Sequence, residues 1–266
     1  VENAFMSSCG AIYNFEIAAR AAAELGVDAD YAAKLTAAAK ALRESLPHDG
    51  EMYLPFAGCK EKSFVSITGL YPYTIFDKSE KKQVAALYDF MKNISKAGNM
   101  YPIGNKTCSW YLGILSSSLA NIQDNTGPET MLSEAARNAG KFGETWEINE
   151  ADLHRNPWFT TAAGSYVHAL NQMFVNPREN GDIDIAVAAP KKWKNYKFEL
   201  PSYGGAKIAG EVADGKFAKL EYAAGKNDSH KRTIVLPKYL VPADKAAKDW
   251  TEDGEFYRIP TNGNFK

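Results

Sequence analysis

Residues 158–189, WFTTAAGSYVHALNQMFVNPRENGDIDIAVAA, contain the change of pattern that decides the fold. In the first half apolar residues recur at helical spacing, and in the second half they alternate as in a β-strand. The turn-forming segment RENG, residues 178–181, separates the two patterns. The sequence therefore predicts a helical domain over residues 1–178 and an antiparallel β-module over residues 179–266.

Helical patterns dominate the chain upstream of this stretch. They predict helices over residues 3–25, 29–46, 79–97, 108–122, 128–142 and 159–175, and a short helix within residues 64–76 that Pro72 breaks. Gly26 is placed to end the first helix, Asp28 to cap the second, and Pro128 to begin a later one. These are about seven helices, whereas a closed toroid of six hairpins needs twelve, so we expect an incomplete toroid.

Strand-like segments follow the turn. They are DIDIAVA, YKFELP, GGAKIAGEVADGKFAKLEYAA and KRTIVLP, and the polar tail after residue 240 holds one further strand. The tripeptide ADG at residues 213–215 lies between two alternating runs and predicts a hairpin. The expected fold class is mainly α with appended β: an αα-hairpin, toroid-like domain followed by a small antiparallel β-sandwich.

Composition excludes several classes of function. The 266 residues carry a formal net charge of -1, which gives no indication of a nucleic-acid partner. No apolar run approaches the roughly 20 residues of a membrane span, so no membrane partner is expected. The three cysteines show no metal-ligand spacing, and the phosphate-loop, dinucleotide and nucleophile-elbow motifs are missing. We therefore expect no metal and no cofactor.

The segment KFGETWEINEADLHRNPWFTTA, residues 141–162, concentrates groups that suit a carbohydrate site. These groups are Glu144, Trp146, Glu147, Glu150, His154 and Trp158. Indole faces stack on the C–H surfaces of sugars, and carboxylates accept hydroxyl hydrogen bonds or move protons. The alternative is a surface loop with solvated acids and tryptophans that fill the floor of the helical domain. Composition alone does not separate these two interpretations.

Several stretches resemble the inverting (α/α)6-barrel glycosidases, particularly glycoside hydrolase families 65 and 95. The resemblance rests on VENAFMSSCGAIYNFEIAARAAAELG (1–26), LYPYTIFD (70–77), SWYLGILSSSLANIQD (109–124) and WFTTAAGSYVHALNQMFV (158–175). The segment that begins DIDIAVAAPKKW resembles the C-terminal β-module of these enzymes. The order and spacing of the segments carry the resemblance more than any one motif does.

The resemblance implies inverting hydrolysis of an oligosaccharide or polysaccharide. In family 65 the general-acid motif lies just upstream of the segment that resembles residues 1–26, so we expect it outside this chain. The chain would then be the C-terminal portion of a barrel enzyme, with an N-terminal portion of the same protein or a second copy as partner. By analogy with glycan-degrading enzymes, a periplasmic or extracellular location is favoured.

The resemblance also indicates candidate site residues. It places the catalytic base on the loop before the last barrel helix, and Glu144 or Glu147 is the candidate, on one face of a helical turn that Glu150 could join. The candidate substrate-binding residues are Trp110, Tyr111, Trp146, His154, Trp158 and Thr160. Hydrolysis is favoured over phosphorolysis, because the phosphate-binding arrangement of the family-65 phosphorylases is not evident.

Each candidate has a structural alternative. Both glutamates could be ordinary surface acids, Trp110 a core residue, and His154 an exposed loop residue. Thr160 and Thr161 could cap the last helix or cradle an anion, and capping is favoured. His168 is expected in the core. At the level of the whole chain, the alternative is a non-catalytic carbohydrate-binding module or a structural or interaction module.

Overall fold

A layer of helices precedes a group of strands in the computed structural model, which describes residues 4–60, 63–97, 106–150, 153–226, 231–242 and 250–261. The α-helices of these ranges are α1 Phe5–Leu25, α2 Ala29–Glu44, α3 Lys81–Ala97, α4 Ser109–Asn121, α5 Gly127–Arg137 and α6 Thr160–Phe174. The strands are β1 Lys106–Thr107, β2 Trp146–Glu150, β3 Leu153–Pro157, β4 Val175–Pro177, β5 Asp182–Ile185, β6 Tyr196–Pro201, β7 Lys207–Ala213, β8 Lys216–Ala223, β9 Arg232–Pro237, β10 Thr251–Asp253 and β11 Phe256–Thr261.

The six long helices occur at the predicted positions, but α5 ends at Arg137 and not at residue 142. The expected short helix within residues 64–76 is reduced to one 3₁₀ turn, Phe64–Ile67, and the chain then turns through a cis Tyr71–Pro72 bond. The count among the described residues is therefore six α-helices and not about seven. None of these helices is both long and apolar enough to cross a membrane.

Helix α4 lies at the centre of the helical layer. Its sequence is almost entirely apolar or small, and such a helix must be covered on all sides. Leu112, Leu115 and Leu119 are fully buried, and α5 and α6 both pack against α4. Gly113 permits the close approach of α6, since a Cβ there would lie 2.7 Å from the Cβ of Ser165.

Helices α1 and α2 form the predicted hairpin, closed by Gly26 with φ +67°. Asp28 precedes α2 as expected, but its side chain makes no capping hydrogen bond to the described residues, because its own backbone is left-handed with φ +50°. The hairpin is held instead by Arg43, whose Nε and Nη2 donate to the Glu16 carboxylate at 2.8 to 2.9 Å.

The strands of the β-module form two sheets over one core. The five-stranded sheet has the order β10-β11-β9-β5-β4, and the three-stranded sheet has the order β6-β7-β8. Ile183 and Ile234 from the first sheet and Ile208 and Tyr222 from the second belong to the same buried cluster.

The module differs from the expectation in two ways. It is not wholly antiparallel, since the neighbouring strands β5 and β9 are parallel. The three strands of the second sheet lie between β5 and β9 in the sequence, so no tight hairpin forces these two strands to be antiparallel. The polar tail supplies two strands, β10 and β11, where one was expected.

Polar contacts join the helical layer to the β-module. Gln123, two residues after α4, donates from Nε2 to both carboxylate oxygens of Asp184 on β5 at 3.1 Å. Burial raises the pKa of Asp184, which the charge of Arg178 opposes. Because the buried Asp184 carboxylate needs polar partners, its contacts with Gln123 and Arg178 tie the end of α4 to the first sheet.

Asp124 caps α5, which carries Pro128 in its first turn as predicted. Its Oδ1 accepts hydrogen bonds from the backbone N–H groups of Thr126 and Gly127 at 2.7 and 3.0 Å. Burial would raise the pKa of Asp124, but these hydrogen bonds outweigh burial and hold the pKa below its ordinary value of 3.8.

We expect Asp124→Asn to lower the free energy of unfolding at pH 7 by about 1 kcal/mol, because a neutral cap accepts the same hydrogen bonds less strongly. A depressed carboxyl pKa contributes stability that is present above the unfolded value of 3.8 and is lost as the pH falls through the folded value. Urea unfolding of both proteins from pH 7 to pH 2.5 should therefore show the difference shrinking below pH 3.8. A difference independent of pH would contradict this role.

Candidate functional site

The acidic segment forms a β-hairpin and not the expected irregular loop. β2 and β3 pair antiparallel, with Trp146 opposite Pro157, and β1 pairs with the other edge of β2. The sequence WEINE alternates apolar and polar residues, and this two-residue period selects a strand. The predicted helical turn that would place Glu144 and Glu147 on one face is therefore wrong.

Glu147 is half-buried on β2. Its Oε2 accepts a hydrogen bond from Nδ2 of Asn156 on the facing strand. Asn156 has φ +51°, a left-handed conformation in which asparagine is several-fold enriched. Because an amide donor restrains the rotation of a carboxylate, this pair fixes where Glu147 points.

The hairpin lies at the N-terminal ends of α4 and α6. β2 contacts both helices, and Phe159, just before α6, exchanges backbone and side-chain hydrogen bonds with Thr145, just before β2. At the start of α4, burial and then the negative charge of Glu147 raise the pKa of the Cys108 thiol to about 12. The partial positive charge of helix N-termini makes this a favourable place for an anion.

Glu144 is engaged in its own turn. Its carboxylate Oε2 accepts the backbone N–H of Phe142 at 2.8 Å, and its main-chain oxygen accepts the N–H of Gly140 at the same distance. The structure thus separates the two candidate bases: one closes a turn, and the other is held on a strand beside two helix ends.

The aromatic candidates fall into two environments. Trp110 and Tyr111 pack on Phe64, with ring centroids 6.0 and 4.2 Å from that ring, and belong to the core around α4. Trp146 is half-buried, whereas Trp158 is 64% exposed with φ +59°. Trp158 is therefore the indole with a face open to a ligand.

The remaining candidates are less informative. Thr160 and Thr161 are exposed in the first turn of α6; Phe159 occupies the cap position, and no side-chain cap hydrogen bond is found there among the described residues. His154 lies opposite Asn149 in the hairpin, but its side chain, like that of Glu150, falls outside the described part. His168 was expected in the core and lies instead at the surface, 5.2 Å from the Tyr71 ring.

A polar cleft that the sequence did not indicate lies at the junction of the helical layer and the β-module. We name it the junction cleft: a cavity of 540 Å³ lined by the end of α2, residues 74–80, the C-terminal ends of α4 and α6, and the turn at residues 177–180. Its lining comes from segments far apart in sequence, so no local motif could reveal it.

In the ranges given above, no three His, Cys, Asp or Glu side chains are grouped so that they could hold a metal ion. Cys9, Cys59 and Cys108 are not joined in disulfides, and burial raises the pKa of Cys9 to about 12.

The fold is similar to part of a solved glycosidase. The Streptomyces avermitilis α-L-rhamnosidase complexed with L-rhamnose superposes with a TM-score of 0.51 at 13% sequence identity, over 95% of this chain and 26% of that chain. This chain thus spans about a quarter of the length of that protein. No protein-family model and no curated protein matches the sequence. The similarity supports a glycoside-hydrolase-like fold without distinguishing families 65 and 95.

The two tryptophan environments give a matched pair of expectations. Trp110→Ala should lower the free energy of unfolding by about 3 kcal/mol, because it removes a packed core side chain. Trp158→Ala should change it by less than about 0.5 kcal/mol, because the indole is mostly exposed. Urea denaturation of both variants measures the difference, and a large loss for Trp158→Ala would show that this indole is structural.

Proposed function

We propose that this chain is the C-terminal portion of an inverting glycoside hydrolase, with the β2–β3 hairpin facing the sugar. The observation that carries the proposal is the half-buried Glu147 carboxylate, held by Asn156 beside the start of α4. The exposed Trp158 on the same hairpin would stack on a sugar ring. The similar fold belongs to an enzyme named for hydrolysis of α-L-rhamnosides and bound to L-rhamnose.

In the proposed mechanism Glu147 acts as the general base. Its carboxylate takes a proton from a water molecule as the water oxygen bonds to the anomeric carbon and the glycosidic bond breaks. A second carboxylic acid protonates the departing oxygen, and an inverting enzyme separates the two carboxyl groups by roughly 6.5–9.5 Å. That acid is expected upstream, on the N-terminal portion of the same protein, which is the proposed partner of this chain.

Asn156 is the proposed positioning residue. It donates to Oε2 of Glu147, which orients the carboxylate so that Oε1 can receive the proton of the water. Glu144 is the weaker candidate for the base, because its carboxylate already accepts a backbone N–H of its own turn. Trp110, Tyr111, Trp146, His154 and Thr160 remain proposed substrate contacts around this end of the helices.

Glu147→Gln in the full-length parent should lower kcat about 10²–10⁴-fold, because the amide cannot accept the proton of the water. KM should change little, since the amide keeps the size and polarity of the side chain. The assay uses a panel of aryl glycosides that includes aryl α-L-rhamnosides. Glu144→Gln is the matched control and should retain turnover; if neither variant loses turnover, the hairpin does not supply the base.

Asn156→Ala should lower kcat about ten-fold or more, the usual cost of removing a hydrogen bond to a charged group. A positioning role also predicts that the loss falls on kcat while KM changes little, because this hydrogen bond orients the base and does not hold the sugar. Asn156→Gln, which keeps the amide, should restore part of the activity. A loss that falls on KM alone, with kcat unchanged, would contradict the positioning role of Asn156.

A second candidate function is a non-catalytic carbohydrate-binding module. It is favoured by the engagement of Glu144 in its own turn, which leaves Glu147 as the only one of the two candidate bases suited to catalysis. An inverting hydrolase needs two carboxyl groups. Isothermal titration of this chain with oligosaccharides separates the candidates: binding without turnover, in the full-length parent as well, supports the module.

A further inference from the structure

The junction cleft is a place separate from the hairpin. Asn121 is the last residue of α4 and Gln172 lies near the end of α6, and both line the cleft. Helix α4 has 13 residues, which at about 1.5 Å per residue puts its two ends about 20 Å apart. The hairpin lies at the opposite ends of the same two helices.

The cleft is large enough for a small molecule. A second cavity of 480 Å³ adjoins the first, and Arg43, Thr74, Ile75 and Glu179 line both. The first cavity alone, at 540 Å³, lies within the range of small-molecule pockets. Tyr53 and Phe76 give it an aromatic side, with their rings stacked at 5.4 Å.

A chain of three amide side chains lines the cleft and ends on an acceptor without a hydrogen-bond partner among the described residues. Asn121 donates to the Leu70 carbonyl at 2.7 Å, Asn176 donates to Asn121 at 3.0 Å, and Gln172 donates to Asn176 at 3.2 Å. The last acceptor, Oε1 of Gln172, is buried and has no hydrogen-bond partner among the described residues, and the residue is only 9% exposed. A buried acceptor at the end of a polarised chain is costly unless a donor meets it.

The charges of the cleft disfavour an anionic ligand. The larger cavity is lined by four carboxylates and two guanidinium groups: Glu44, Asp77, Glu80, Glu179, Arg43 and Arg178. The guanidinium group of Arg43 is already bound by Glu16 and by the Ile75 carbonyl. Little free positive charge therefore remains for a phosphate or a carboxylate.

Two of the four carboxylates are also engaged, which weakens the attraction of the cleft for a cation. Glu179 binds Arg20 at 2.8 Å and accepts from Thr74 at 3.3 Å, while Asp77 accepts two hydrogen bonds from Ser79. What the cleft offers is amide and hydroxyl groups beside an aromatic side. Sugar hydroxyls match this lining, since they both donate and accept.

We infer that the junction cleft binds a neutral polyhydroxylated ligand of mono- or disaccharide size, with one ligand hydroxyl donating to Oε1 of Gln172. This goes beyond the proposed function, because it is a second, non-catalytic sugar site and needs neither Glu147 nor the general acid. It would let one chain hold a glycan at two places about 20 Å apart.

The test is saturation-transfer NMR on the whole chain, with L-rhamnose and maltose as neutral probes and spermidine as a cationic probe. Gln172→Met keeps the length of the side chain and removes the amide oxygen and nitrogen, and it should weaken sugar binding about five-fold or more. Glu44→Trp tests the cleft without touching the amide chain; Glu44 is exposed, and its ion pair with Lys40 at 4.0 Å contributes little to stability. Asn171→Ala, at an exposed site beside Gln172, is the matched control.

The expected result is sugar binding that both cleft variants weaken and that Asn171→Ala keeps. Glu147→Gln and Trp158→Ala, the two hairpin variants, report on the hairpin site in the same assay. Binding that only the two hairpin variants lose would overturn the cleft assignment while supporting the hairpin site. A signal from spermidine alone, or from no probe, would also overturn it. Retained far-ultraviolet circular dichroism in each variant excludes unfolding as the cause of a loss.

Discussion

The burial of α4 from Leu112 to Asn121 is the constraint on which the rest of the structure depends. A helix without a polar face has to be covered on every side, and here α5, α6 and the turn around Ile67 and Leu70 supply the cover. This fixes both ends of α4. Its N-terminal end receives the hairpin, and its C-terminal end receives the amide chain and the β-module. The two candidate ligand sites differ because different side chains surround the two ends of this buried helix.

Sequence periodicity predicts the helices well, because each long helix buries a stripe or a whole surface that its own residues define. It also locates the change from helix to strand near residues 178–181. It fails at the acidic segment, where acids and turn residues suggest an irregular loop, although the alternation in WEINE was available to predict a strand. Periodicity also cannot predict the parallel pairing of β5 with β9, because these two strands are far apart in the sequence.

The residues of the candidate site were likewise predictable only in part. Residue type and position singled out Glu147 and Trp158. The structure places Glu147 on β2, held by Asn156, and Trp158 directly after β3 with its side chain exposed. Asn156 was not foreseen, since its contribution comes from strand register, which a single sequence does not specify. The junction cleft could not be predicted from the sequence at all. Its three amide side chains belong to α4, α6 and β4, and only the folded chain brings them together.

The central claim is that the hairpin end of this chain supplies the base of an inverting hydrolase. The stereochemistry of the first product tests it most directly, because a water activated by a base attacks the face of the sugar opposite the leaving group. Proton NMR of the full-length parent acting on an aryl α-L-rhamnoside should show the β-anomer of the free sugar before mutarotation. Initial release of the α-anomer would show retention and would contradict the account.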